Sequence, residues 1–204
     1  ALSLGLIAAV AAIAGLVVAS FVFESGTPEA GELTSGTLLP QGRPIPDFAL
    51  TGIDGQPFTK AALDGKWSVI FVGFTHCPDI CPNTLGLLKT VHRQLAEQQR
   101  ELQVVLLSVD PERDTPEILA RYVSHFDPSF VGATGPVAEL DKLGSAMGFV
   151  YMKSPGATPD SYTVDHSSAL ILINPEAQVA GYFTQPLKVD TLVTDLASLI
   201  PSAS

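Results

Sequence analysis

Val69-Ile-Phe-Val-Gly-Phe-Thr-His-Cys-Pro-Asp-Ile-Cys-Pro-Asn-Thr-Leu85 decides how this chain is read, because it runs an apolar strand into two cysteines and then opens a helix. Cys77 and Cys81 are the only cysteines among 204 residues, and each is followed by a proline. Proline has no backbone N–H to donate, so it suits the first turn of a helix, where that N–H has no partner in any case. The positive end of the helix dipole favours thiolate over thiol, which predicts cysteine pKa values below the usual value of about 8.5. Three residues, Pro78-Asp79-Ile80, separate the pair, and on a helical path that spacing puts both sulfurs on one face. The pair is a candidate soft site.

Working outward, residues 67–74 form a nearly continuous apolar run of strand length, as expected of a central strand buried on both faces. Helical spacing over 83–99 and a second buried strand over 102–110 follow it. Thr115 and Pro116 then read as N-cap and first residue of a helix to about residue 126. A short strand at 130–134 precedes a helix over 136–147 that Gly148 stops. Residues 151–162 read as a Pro- and Gly-containing loop. An antiparallel pair over 168–173 and 178–183, then a helix over 188–200, closes the chain. On the N-terminal side, Asp54-Gly55 predicts a short hairpin. This order predicts an α/β, thioredoxin-like (peroxiredoxin-like) mixed sheet flanked by helices, with the domain spanning 46–204.

Residues 2–23 carry no charged side chain and supply about 33 Å of helix at 1.5 Å per residue, enough to span a bilayer. The expectation is a transmembrane anchor over 1–23; a signal peptide, with its shorter apolar core, is the competing reading. No Lys or Arg precedes Arg43, whereas Glu24, Glu29 and Glu32 follow the span, which predicts the domain on the side away from the cytoplasm. The missing basic flank is expected upstream of Ala1. Residues 24–45, rich in Gly, Pro, Thr and Ser, read as a linker.

Eleven Lys and Arg against 21 Asp and Glu give a formal charge of -10, and the absence of a basic cluster argues against nucleic acid as a partner. Two cysteines exclude a disulfide-dense scaffold and leave the pair free for redox or metal work. Two thiolates suit copper(I) or zinc, and one imidazole would complete a three-coordinate copper site or leave zinc short of its usual fourth ligand. Of the four histidines, His76 adjoins Cys77 but reads as structural, and His92 and His125 lie on predicted helices. His166, in Thr163-Val-Asp-His-Ser-Ser168, precedes the strand that such a fold brings beside the dithiol. Asp165 reads either as a partner orienting that imidazole or as an exposed loop carboxylate.

Three separated phrases, Gly73-Phe-Thr-His-Cys-Pro-Asp-Ile-Cys-Pro82, Ser108-Val-Asp-Pro-Glu-Arg-Asp-Thr-Pro116 and Val164-Asp-His-Ser167, closely resemble the Sco/SenC family of membrane-anchored copper proteins. The resemblance covers residues 46–200 in element order. It implies one copper held by Cys77, Cys81 and His166, and a role in assembling the copper A centre of cytochrome c oxidase. The implied partners are the oxidase subunit carrying that site and a periplasmic copper donor. The implied location is a bacterial inner membrane with the domain in the periplasm, or alternatively the mitochondrial inner membrane facing the intermembrane space.

Two function classes follow. A metallochaperone would hold copper and pass it on by ligand exchange, without turnover. A thiol-disulfide oxidoreductase would instead use Cys77 and Cys81 as catalytic residues to reduce the cysteines of the oxidase site. A peroxidase fits the proline-flanked pair less well, and a purely structural disulfide is the plain alternative. The turn 109–114 reads as a helix cap or as part of a docking face.

Overall fold

The computed structural model describes residues 33–156, 158 and 161–202. Fourteen elements of regular helix or strand form among them: β1 (Gly36–Pro44), β2 (Ala49–Gly52), β3 (Pro57–Thr59), β4 (Ser68–Gly73), α1 (Ile80–Glu97), β5 (Gln103–Ser108), α2 (Pro116–Phe126), β6 (Val131–Thr134), α3 (Val137–Met147), β7 (Tyr151–Pro155), β8 (Tyr162–His166), β9 (Leu170–Ile173), β10 (Gln178–Phe183) and α4 (Val189–Leu199). Eight strands make one sheet in the order β1-β10-β9-β4-β5-β6-β2-β3, and β7 pairs with β8 separately. Strands β4, β5 and β6 run parallel through the helices α1 and α2, and their neighbours on both sides are antiparallel.

Alternation along the central strands sorts the side chains into two apolar layers. Val69 and Phe71 of β4 join Leu85, Leu88, Val91 and Leu95 of α1, with parts of α2 and α4, on one face. Ile70 and Val72 face the other way, toward Leu140, Leu143 and Met147 of α3. The four α1 residues are fully buried, each stabilising the fold by about 1.5–3 kcal/mol relative to exposure. This two-sided burial explains why β4 is apolar from Val69 to Val72 and buried at every position. The helix ends follow local chemistry: Thr115 accepts a hydrogen bond from the Ile118 amide with Pro116 behind it, and Gly148 (φ 76°) closes α3 in the left-handed conformation that costs glycine little.

Two expectations are corrected. Gly36–Pro44, within the predicted linker 24–45, is an edge strand paired to β10, so the sheet begins about ten residues before Pro46. Its composition hid it: Pro40 and Pro44 are tolerated where one edge lacks a neighbour, and no residue of the strand is fully buried. The predicted loop 151–162 is partly ordered as β7, which pairs with β8 in the register Tyr151↔His166 to Pro155↔Tyr162. Only Val164 of this hairpin is buried, so it lacks a strong apolar signal. The anchor predicted over 1–23 lies outside the described residues. Among those that are described, no helix is long and apolar enough to cross a membrane.

Candidate metal centre

The site assembles at one end of the sheet, where parallel strands β4 and β5 finish and antiparallel β9 begins. Phe71 of β4 pairs with Leu170 at the start of β9, so the loop after β4 and the residues before β9 meet there. This is the carboxyl edge at which α/β sheets hold their sites. Past Gly73 the chain turns, with the Cys77 amide donating to the Phe74 carbonyl, and α1 starts at Ile80. Cys77 therefore lies in the turn and is partly exposed, while Cys81 is the second residue of the helix and is fully buried.

Gly73 makes room for the second sulfur. A Cβ at this position would stand 2.8 Å from Cys81 Sγ, closer than real Cβ contacts come. His166, the last residue of β8, brings its Nε2 to 3.5 Å from the same sulfur. One donor atom from each of Cys77, Cys81 and His166 lies within 4.8 Å of the other two. His166 Nδ1 is 3.0 Å from the Ser167 carbonyl, which can only accept, so Nδ1 carries the proton and Nε2 presents its lone pair to the cysteines. Phe71 and Phe74 hold the ring edge-on, at centroid distances of 6.1 and 5.8 Å.

Burial overrides the helix dipole at Cys81. Desolvation pushes its thiol far above the usual range, and a hydrogen bond with the Phe74 backbone only partly opposes this. The prediction of a lowered pKa from the helix N-terminus fails for this residue, because the sulfur is sealed against β4 and the cost of stripping water from a thiolate there exceeds what the helix dipole returns. A soft cation among these atoms would displace the proton and supply the missing charge. The donor set, two sulfurs and one aromatic nitrogen, fits such a cation and offers no carboxylate.

The other candidates go elsewhere. Asp165 points across the hairpin and accepts a hydrogen bond from Ser154 Oγ, so the Ser167 carbonyl orients His166 instead. His76 is exposed, with Nδ1 3.1 Å from Thr75 Oγ1 and 3.9 Å from Asp114. His92 rests beside Asp127 and Phe130, and His125 beside Phe126. Sequence reasoning treated Asp114 as part of a helix cap; it is instead fully buried beneath the cysteine loop. Its carboxylate accepts from the Thr75 amide (2.9 Å), Thr75 Oγ1 (2.5 Å) and Ser108 Oγ (2.5 Å). An acidic residue one position from a helix cap carries no sequence mark that tells these two roles apart.

The profile of the SCO1/SenC family matches residues 38–201, four-fifths of the chain. The chain belongs to that family. A Stutzerimonas stutzeri protein named for copper binding is 40% identical over 164 residues, which is 80% of each chain. The mitochondrial protein SCO2 homolog of Mus musculus is 38% identical over 152 residues, 74% of this chain and 60% of that longer relative. The crystal structure of Arabidopsis thaliana ScoI with copper bound superposes with a TM-score of 0.71 at 34% identity, covering 75% of this chain and 95% of that one. The SCO1/SenC match takes in both cysteines, His166 and Asp114.

Proposed function

We propose that this SCO1/SenC protein is a membrane-anchored metallochaperone, and that Cys77, Cys81 and His166 hold its copper cargo. The observation that carries the reading is the convergence of two sulfurs and an imidazole nitrogen, with the Nε2 lone pair directed at Cys81. Two thiolates and one nitrogen suit Cu(I), and the nitrogen adds affinity for Cu(II). Partial exposure of Cys77 gives an acceptor protein a sulfur to approach first, so copper can leave by stepwise ligand exchange. The family resemblance supports the copper A subunit of cytochrome c oxidase as acceptor and a periplasmic donor as source. An anchor over 1–23 and the linker that follows it would hold the thioredoxin-like domain near that acceptor, in the periplasm or the intermembrane space.

The accessibility difference also favours a second role. Cys77 can attack a partner disulfide to form a mixed disulfide, releasing one partner thiolate. Cys81, after losing its proton, then attacks Cys77 and releases the second. The partner gains two electrons and the pair becomes a disulfide. A titration decides whether copper binding is the main function: wild type should take up one Cu(I), and Cys77→Ser or Cys81→Ser should each lose tight binding. Undiminished uptake by either variant contradicts the reading.

A further inference from the structure

His166 sits at the end of a hairpin that belongs to no larger sheet, so its distance from the cysteines depends on what holds that hairpin. The β5–α2 turn supplies the hold. Asp110 is fully buried and receives the Tyr162 hydroxyl at 2.6 Å on one oxygen and Arg113 Nε on the other. Arg113 also donates to the Tyr162 carbonyl at 3.1 Å, and its guanidinium lies 3.7 Å from the centre of the Tyr162 ring. The same guanidinium lies 5.7 Å from the Phe74 ring, whose other neighbour is His166. Burial and the Asp110 carboxylate push the Tyr162 phenol up to about 12, so it remains the donor throughout the physiological range.

Resting on the copper reading above, we infer that Asp110, Arg113 and Tyr162 form a latch that sets where the β7–β8 hairpin places the His166 imidazole relative to Cys77 and Cys81. The three are positioning residues for the nitrogen ligand. Four residues along the same turn, Asp114 braces the cysteine loop through Thr75, so one short segment, 110–114, aligns both halves of the site. The phenol–carboxylate bond is charge-assisted and its acceptor is fully buried, and the stacked fork of Arg113 resists sliding of the hairpin.

Tyr162→Phe in the full chain removes one hydroxyl and keeps the ring. In metal-free protein it should speed amide exchange of Thr163 and Asp165, whose amides face β7 in the hairpin ladder, at least tenfold, the lower end of what one hydrogen bond to a charged group is worth. Exchange in β4 and β5 should stay at the wild-type rate, and the NMR signals of the His166 ring should shift. With Cu(II) added, its spectrum should move toward that of His166→Ala, and Tyr162→Phe should add nothing in the His166→Ala background. Unchanged exchange and ring signals in Tyr162→Phe overturn the latch, as does a copper effect that persists without His166. Arg113→Lys, which keeps the charge but loses the planar fork, provides the same readouts if the first variant folds poorly. If wild type takes up no copper, the copper reading fails while the exchange and ring signals still decide the latch.

Discussion

Gly73→Ala tests the sealed position of Cys81. The new Cβ would lie 2.8 Å from Cys81 Sγ, 3.2 Å from Leu106 Cδ1 and 3.3 Å from Phe71 Cε1. The sulfur contact is about 0.7 Å inside the roughly 3.5 Å at which non-bonded heavy atoms begin to attract. Because Gly73, Phe71 and Leu106 all lie in the paired central strands β4 and β5, the sulfur and the first turn of α1 are the parts that can yield. Overpacking of this kind costs about 1–3 kcal/mol. Displacing the sulfur should also open its 3.5 Å approach to His166 and weaken Cu(I) by at least tenfold. Urea unfolding of metal-free protein and competition titration with a Cu(I) chelator measure the two effects. Adding Cys81→Ala removes the clashing atom, so Gly73→Ala should cost much less stability in that background. Wild-type stability and copper affinity in Gly73→Ala, or an equal stability cost with and without the Cys81 sulfur, would refute the packing argument.

Three further outcomes are expected. Cu(I) affinity should keep rising about tenfold per pH unit between pH 8 and 10 from Cys81 alone, because burial holds its thiol above the ordinary value of 9.0 and the metal must still displace the proton; a profile that levels off near pH 9 contradicts this. Asp195→Asn should cost about 1.5–3 kcal/mol in urea unfolding, since the buried carboxylate accepts from the Thr34 and Ser35 amides (2.8 Å each) and Ser35 Oγ (2.7 Å). Burial opposes ionisation of Asp195, yet these hydrogen bonds hold it below the usual carboxylate range. Its contribution is therefore complete above an unfolded value of about 3.9 and is lost as pH falls through the folded one, so a difference between wild type and variant that does not shrink as pH falls below about 3.9 contradicts the assignment. Tyr122→Phe should leave thermal stability unchanged or raise it by up to about 1 kcal/mol, because its buried hydroxyl has no partner among the described residues; a loss exceeding that amount would reveal one.

Much of this architecture was legible because burial writes itself into sequence. The six apolar-to-small residues of β4, the α1 face at Leu85, Leu88, Val91 and Leu95, and the cap at Thr115 each carry a local pattern with one physical reading. His166 stood out by its place before the strand that became β9, and the family resemblance then marked it as a ligand. What stayed hidden depends on contacts distant in sequence. The Asp110–Tyr162 bond joins residues 52 apart, and the edge strand β1 is fixed by β10 at the other end of the chain. The ionisation of Cys81 was misjudged because the helix terminus is visible in the sequence, whereas the wall formed by Gly73 against its sulfur is visible only once the sheet is folded.

The proposed copper site draws its ligands from Cys77, Cys81 and His166. X-ray absorption spectroscopy of the Cu(I)-loaded full chain counts the neighbours of the metal directly. Two sulfur scatterers and one imidazole nitrogen are expected, with the nitrogen absent in His166→Ala and one sulfur absent in any residual complex of Cys77→Ser. A wild-type spectrum that needs only sulfur, or one that His166→Ala leaves unaltered, would contradict the account.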